Sequence, residues 1–394
     1  MIYLDNSATT RQYDEVTELM YRIAKDNYGN PSSLHNFGFE AGNALFNARR
    51  EIEDTLFGNG TVIFTSSGTE ADNMALHSVC RKLRRRGNKI ITTKVEHPAI
   101  LETCRRLEDD GFEVVYLDAD VDGYVEPQLV KAALDDKTIL VSVMTVNNEV
   151  GTIEAVAPIC KIVQEFRKQN GCRTVFHTDA VQAFGKLPMD DTAFDLISAS
   201  AHKIHGPKGM GFLYMNKDLQ LPAFITGGGQ ESGYRSSTEN VPGIAGFGLA
   251  CRMSHEDMFK RMEHVAKVND YLYRGLKSEI DDVMLNGPEE LGFNLYDYGK
   301  RCPSVLNMSF LGTRGEVLLH TLEQDKIYVS TGSACHSHKT GDSHVLQAMS
   351  LTHKEIEGAI RFSFSEFNTI DEMDEVIDKT KKAVTKFRKL GSFR

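Results

Sequence analysis

The chain lacks several things that would narrow its class at once. It has no tryptophan, an absence that decides nothing. It has no excess of positive charge: 45 lysines and arginines face 55 aspartates and glutamates, for a formal net charge of −10. Bulk charge therefore argues against a nucleic-acid reader, which presents a basic face. One run is strongly basic, RKLRRRGNK from Arg81 to Lys89, and a solvated helix end stopped by Gly87 explains it more simply than a docking patch. The first residues, MIYLDNSATT, hold no basic leader, and no long apolar run follows. Neither a signal peptide nor a membrane span is expected. The seven cysteines are odd in number and form no CxxC pair. That suits reduced thiols in a cytoplasm better than a disulfide framework.

What is present is an alternation of short apolar runs and helical patterns. A length of 394 residues suggests two domains. From about residue 60 to 216 the runs TVIFTS, KIITTKVE, FEVVYLD, TILVSVMTV, TVFHTDAV, FDLISASA and GFLYMNK follow one another, several separated by helix-length segments. This predicts an α/β unit with a mostly parallel, helix-covered sheet. FGFEAGNALFNARREIEDTLFG predicts an amphipathic helix ended by Gly58. From about 255 the texture changes to a long helical pattern (about 255–280), then SVLNMSFLG, RGEVLLHTLEQD, IYVSTG and GAIRFSFSEF, an α+β second unit. The expected boundary lies near 240–260.

In open α/β sheets, functional groups gather beyond the carboxyl ends of the strands. Six stretches fall there or bear comparable polar groups. In FTSSGTEADN, free N–H groups at a helix start could hold a phosphate, or Ser and Thr could simply cap the helix; no dinucleotide or triphosphate fingerprint is present. Asp179 in HTDAVQAFG ends a strand and could face a protonated pyridine nitrogen, or cap a helix. Lys203 in SASAHKIHGPKG could form a Schiff base once desolvated, with Ser200 and His202 as phosphate donors; Lys208 reads as a solvated loop lysine. His97 sits between a strand and a helix. The glycine-rich ITGGGQESGYRSSTENVPG, with Arg235 and Thr238, could wrap an anion or pack across a subunit interface. Arg361, alone in an apolar strand, needs a carboxylate partner or a cleft. A seventh stretch, STGSACHSHKTGDSH, holds Cys335 beside His336, His338 and His344, and could be a nucleophile loop or a metal site. C-H-x-H-x5-H is not a standard structural zinc spacing, so no metal is expected.

These stretches, with YLDNSATT, YGNPSSLH, EHPAIL, VNNEVGTI, RSSTENV, STGSAC and AIRFSF, resemble the pyridoxal-phosphate-dependent cysteine desulfurases, the NifS/IscS group of class V aminotransferase-like enzymes. The resemblance covers residues 3 to about 370, in the family's order and spacing. It implies fold type I of the pyridoxal-phosphate enzymes, with a mainly parallel seven-stranded sheet in a large domain (15–255). A smaller α+β domain would combine residues 1–14 and 256–394. It implies a cytoplasmic homodimer with active sites at the subunit interface. By the same resemblance Lys203 holds pyridoxal 5'-phosphate, Asp179 faces the ring nitrogen, and His97 stacks on the ring and assists proton transfer. Gln182 contacts the phenolic oxygen. Gly68, Thr69, Ser200 and His202 hold the phosphate, with Thr238 entering from the partner subunit. Asn148 and Arg361 bind the carboxylate side of L-cysteine. Cys335 is the nucleophile that leaves L-alanine and becomes a persulfide, with His336, His338 and Lys339 favouring its thiolate. The sulfur would pass to an acceptor in iron–sulfur cluster assembly or in tRNA or cofactor thiolation. Rival expectations are a selenocysteine or cysteine sulfinate-type lyase on the same fold, and a non-catalytic sulfur or metal carrier.

Overall fold

The computed structural model describes residues 1–56, 59–189, 194–331 and 342–391. The chain opens with β1 (Ile2–Tyr3) and two helices, Asp14–Asp26 and Asn36–Glu53. The second was expected to run on to Gly58. It ends at Glu53, where the Thr55 hydroxyl donates to the Ile52 carbonyl at 2.7 Å and satisfies a late acceptor of the helix. Gly58 itself lies outside the described residues.

The seven apolar runs become β2 (Gly60–Thr65), β3 (Lys89–Thr93), β4 (Glu113–Leu117), β5 (Thr138–Ser142), β6 (Val175–Asp179), β7 (Leu196–Ser200) and β8 (Gly211–Asn216). They form one sheet in the order β2-β8-β7-β6-β5-β3-β4. β8 runs against both neighbours, β2 and β7, and the other pairs are parallel. β3, β5, β6 and β7 are buried along their whole length, because helices cover both faces. This is why they read as continuous apolar runs and not as alternating ones. Neighbouring residues on one strand enter different cores. Ile63 and Leu140 pack with Met74 and Ile100 on one face, Phe64 and Val141 with Phe176 and Phe212 on the other.

The long helix expected near 255–280 is Met258–Glu279, and a separate helix, Val241–His255, precedes it. Asp257 between them has φ 55, a left-handed conformation that interrupts the helical hydrogen bonds. A second sheet follows, made of β9 (Val283–Asn286), β10 (Val305–Phe310) and, after the short β11 (Ile327–Tyr328), β12 (Ala359–Ser363), all antiparallel with β10 central. The N-terminal segment returns to this sheet. β1 pairs with β11, and the Ser7 N–H donates to the Ser363 hydroxyl at 2.8 Å. Leu4, Phe176, Leu306 and Phe362 belong to one apolar core, so the second sheet is packed onto one face of the first.

Candidate active site

The parallel strands deliver their carboxyl ends to one edge, and a cavity of about 260 Å³ opens there. Volume does not single it out, since an open hollow of about 730 Å³ lies beside Asp270 and Leu291. Chemistry does. The smaller cavity is lined by Gly68, Thr69, His97, Asn148, Asp179 and Gln182, and by Ser200, His202, Lys203 and Arg361. Ten residues proposed from six separate stretches of sequence meet around one volume.

Lys203 stands on a short turn, Ala201–Lys203, directly after β7. Its ammonium donates to the carbonyls of Ser7 and Ala8 at 2.5 and 2.8 Å. Asp179, the last residue of β6, is 5 % exposed, and its Oδ1 accepts from the Val181 N–H at 2.9 Å. Burial pushes its carboxyl up to about 6, while the Val181 N–H and the Lys203 charge pull the other way. No described helix directly follows β6, so the bond to Val181 closes a turn and Asp179 caps no helix there. His202 sits half-buried beside Thr9, and burial with three lysine charges holds its imidazole down to about 4, so it is neutral. His97 caps the helix Pro98–Asp109, its Nδ1 accepting the Ala99 N–H at 3.1 Å. That bond leaves the ring proton on Nε2.

The turn after β2 leads into the helix Gly68–Leu83. Ser67 caps it, accepting the Glu70 N–H at 3.1 Å, while Gly68 and Thr69 line the cavity. A Cβ on Gly68 would lie 2.7 Å from Val181 Cγ2, so only glycine lets the helix end approach the floor of the cavity. Arg235 does not hold an anion here. It pairs with Glu70, at 2.7 Å, and ties the glycine-rich loop to this helix. Thr238 on that loop is exposed and does not reach the cavity of its own chain.

Arg361 is 2 % exposed on β12, and donates to the Asn148 carbonyl at 2.9 Å and to Asp5 at 3.1 Å. Its Nε has no hydrogen-bond partner among the described residues. Its backbone pairs in both directions with Ser330, so the stretch containing Cys335 departs from a neighbour of the cavity. Downstream, the Ser343 hydroxyl donates to Glu149 at 2.5 Å and His344 bonds the Glu96 carbonyl at 2.9 Å. Cys335, His336, His338 and Lys339 lie outside the described residues.

Sequence reasoning missed several cavity residues, among them Ser7, Ala8, Asp72, Met144, Val146 and Val181. Ser7 and Ala8 contribute backbone carbonyls, which carry no side-chain signal. Asp72 is 1 % exposed, with Oδ1 unpartnered among the described residues and 3.7 Å from His177 Nε2. Burial, then the Asp179 charge, raises the Asp72 carboxyl well above its usual range, and burial lowers His177 to about 3. His177 is therefore neutral at physiological pH, and burial disfavours the charged form of Asp72 beside Asp179. The hint lay in TEADN, an acid one turn into a helix whose start faces the strand ends.

The sequence profile of the aminotransferase class-V family matches residues 2–376. The chain belongs to the class-V aminotransferase family. Among relatives, "Cysteine desulfurase IscS" of Clostridium botulinum is 42 % identical over 393 residues, covering 99 % of this chain and 96 % of that protein. The protein of the same name from Dictyoglomus turgidum is 40 % identical over 396 residues, covering 100 % and 97 %. Among solved structures, one titled "NIFS-LIKE PROTEIN" superposes with a TM-score of 0.87 at 37 % identity, covering 98 % of this chain and 99 % of that one. The class-V enzymes use pyridoxal phosphate, and this cavity fits that group. It offers an amine on Lys203, a buried carboxylate on Asp179, and a cradle at Gly68 that a Cβ would fill.

Proposed function

We propose that this chain is a cysteine desulfurase that takes L-cysteine, releases L-alanine and holds the sulfur as a persulfide on Cys335. The observation that carries the reading is the meeting of Lys203 and Asp179 in one cavity with a buried arginine, Arg361. Bound pyridoxal phosphate supplies an electron sink for the pair released when the substrate Cα–H bond breaks. Lys203 holds the cofactor and then, as a free amine, moves the Cα proton. Asp179 keeps a proton on the ring nitrogen through its charge. His97 covers the ring and presents Nε2–H. Gly68, Thr69, Ser200 and His202 hold the phosphate. Arg361 takes the substrate carboxylate with its unpartnered Nε, and Asn148 lines that side. The Cys335 thiolate attacks the substrate sulfur: an S–S bond forms, the C–S bond breaks, and the carbon gains a proton to become alanine. The sum is L-cysteine plus thiol giving L-alanine plus persulfide, with no outside oxidant.

The working protein is a cytoplasmic homodimer in this reading, with Thr238 of each chain completing the other's phosphate site. Support comes from the exposed apolar side chains of the first two helices and their connection. Tyr28, Leu34 and Phe39 are 73 %, 105 % and 69 % exposed, more than a water-facing surface normally leaves open. Among the described residues no helix is long and apolar enough to cross a membrane. Residues 15–255 form the cofactor domain, and residues 1–14 with 256–394 the smaller one. The persulfide sulfur goes to an acceptor protein for iron–sulfur assembly or for tRNA or cofactor thiolation.

The test is optical and chemical. The purified protein is expected to be yellow, to bleach with borohydride, and to release alanine from L-cysteine in the presence of a dithiol. A protein that stays colourless with added pyridoxal phosphate sinks the reading, and full activity in Cys335→Ala sinks the nucleophile.

A further inference from the structure

Gln182 lines the cofactor cavity, and an amide can present either end to it. Two contacts decide which. Lys186, one turn later, places its ammonium 3.0 Å from Gln182 Oε1. An ammonium can only donate, so the atom facing it is the amide oxygen. At the other end Gln182 Nε2 donates to the Ser7 carbonyl at 3.0 Å, the same carbonyl that receives Lys203. The amide nitrogen carries two hydrogens, and Ser7 takes one. The second is left for the cavity.

We propose that Lys186 is a positioning residue that locks the Gln182 amide with its donor end toward the ring oxygen of the cofactor. The inference rests on the desulfurase reading above. A donor aimed at that oxygen favours its anionic form, whereas a flipped amide would bring an oxygen against it and favour the protonated form. The backbone holds Lys186 in place. Gly185 has φ +73, and a Cβ there would lie 2.7 Å from Ile204 Cγ2 and 2.8 Å from Ser254 Oγ, so the turn between the two side chains has one course. The ammonium is enclosed although part of the residue is exposed. Cys302 before β10, Arg361 on β12, Glu366 beyond it and His202 after β7 are the titratable groups that feel its charge. Burial lowers the ammonium to about 8, so the lock loosens on the alkaline side, where the neutral amine can accept as well as donate.

The experiment records the absorption of the bound cofactor against pH in the holoenzyme and in Lys186→Met and Lys186→Arg. In Lys186→Met the near-ultraviolet form with a protonated ring oxygen is expected to grow at the expense of the visible form. A shift of about one pH unit corresponds to a tenfold change in their ratio. Lys186→Arg, which can only donate, restores most of the wild-type ratio. If Lys186→Met does not fold, Lys186→Gln is expected to give a smaller shift of the same sign. A folded variant that is less stable but spectrally unchanged overturns the inference, because a merely structural lysine would behave so. Failure of Lys186→Arg to restore the ratio overturns it too. A wild type that binds no cofactor overturns the functional reading and this inference together. A wild type that binds cofactor and turns over L-cysteine while the variants show no spectral change overturns the inference alone.

Discussion

Glu149 follows Asn148 at the cavity wall and is 4 % exposed. Burial pushes its carboxyl up to about 7, against the opposing pull of the Ser343 hydroxyl and the Arg361 charge. In the unfolded chain the same group titrates near 4.5. The folded state therefore holds the proton more tightly, and stability falls as pH rises from about 4.5 to about 7. At 1.36 kcal/mol per pH unit the loss is about 3 kcal/mol at pH 8 and about 1 kcal/mol at pH 5. Glu149→Gln removes the titration while keeping an acceptor for Ser343. The variant's stability relative to wild type should rise by about 2 to 3 kcal/mol between pH 5 and pH 8, whatever constant offset the exchange adds. Urea unfolding of both proteins, saturated with cofactor, measures this. A stability difference that does not change with pH, or that moves the other way, would refute the assignment of a buried, proton-holding Glu149.

Three further outcomes follow from the same geometry. Lys203→Ala is expected to lose the borohydride-fixed cofactor and alanine release, both read on one preparation. Arg361→Gln removes the fork from a buried position on the cavity wall; a lost charge-assisted bond of about 2 kcal/mol raises KM for L-cysteine roughly 30-fold, and an unchanged KM in steady-state assays would remove Arg361 from the substrate site. Gly68→Ala forces a methyl to 2.7 Å from Val181, and strain of about 1 to 3 kcal/mol should weaken pyridoxal phosphate binding by roughly 5-fold to 160-fold in a fluorescence titration.

The sequence alone determined the seven strands of the large sheet and their succession along the chain, because buried parallel strands are local runs of apolar residues and need no partner to be recognised. It also determined the chemical types at the strand ends. Asp179, Lys203, His97 and Gly68 each sit where a strand or helix signal stops, and a motif shared with a family fixed their company. Boundaries that hang on a single backbone torsion or one hydrogen bond, at Asp257 and at Thr55, were not legible, since composition does not report them. Only the tertiary structure decided how the pieces act on one another. It brought the Ser7 and Ala8 carbonyls to Lys203, 195 and more residues away in sequence, where no side chain could have announced them. It turned Arg235 from a candidate anion ligand into the partner of Glu70. It enclosed Asp72, Glu96 and Glu149, and burial raised all three carboxyls. Residue identity is local, but desolvation and amide orientation depend on what surrounds a group. Those surroundings exist only once the chain has folded.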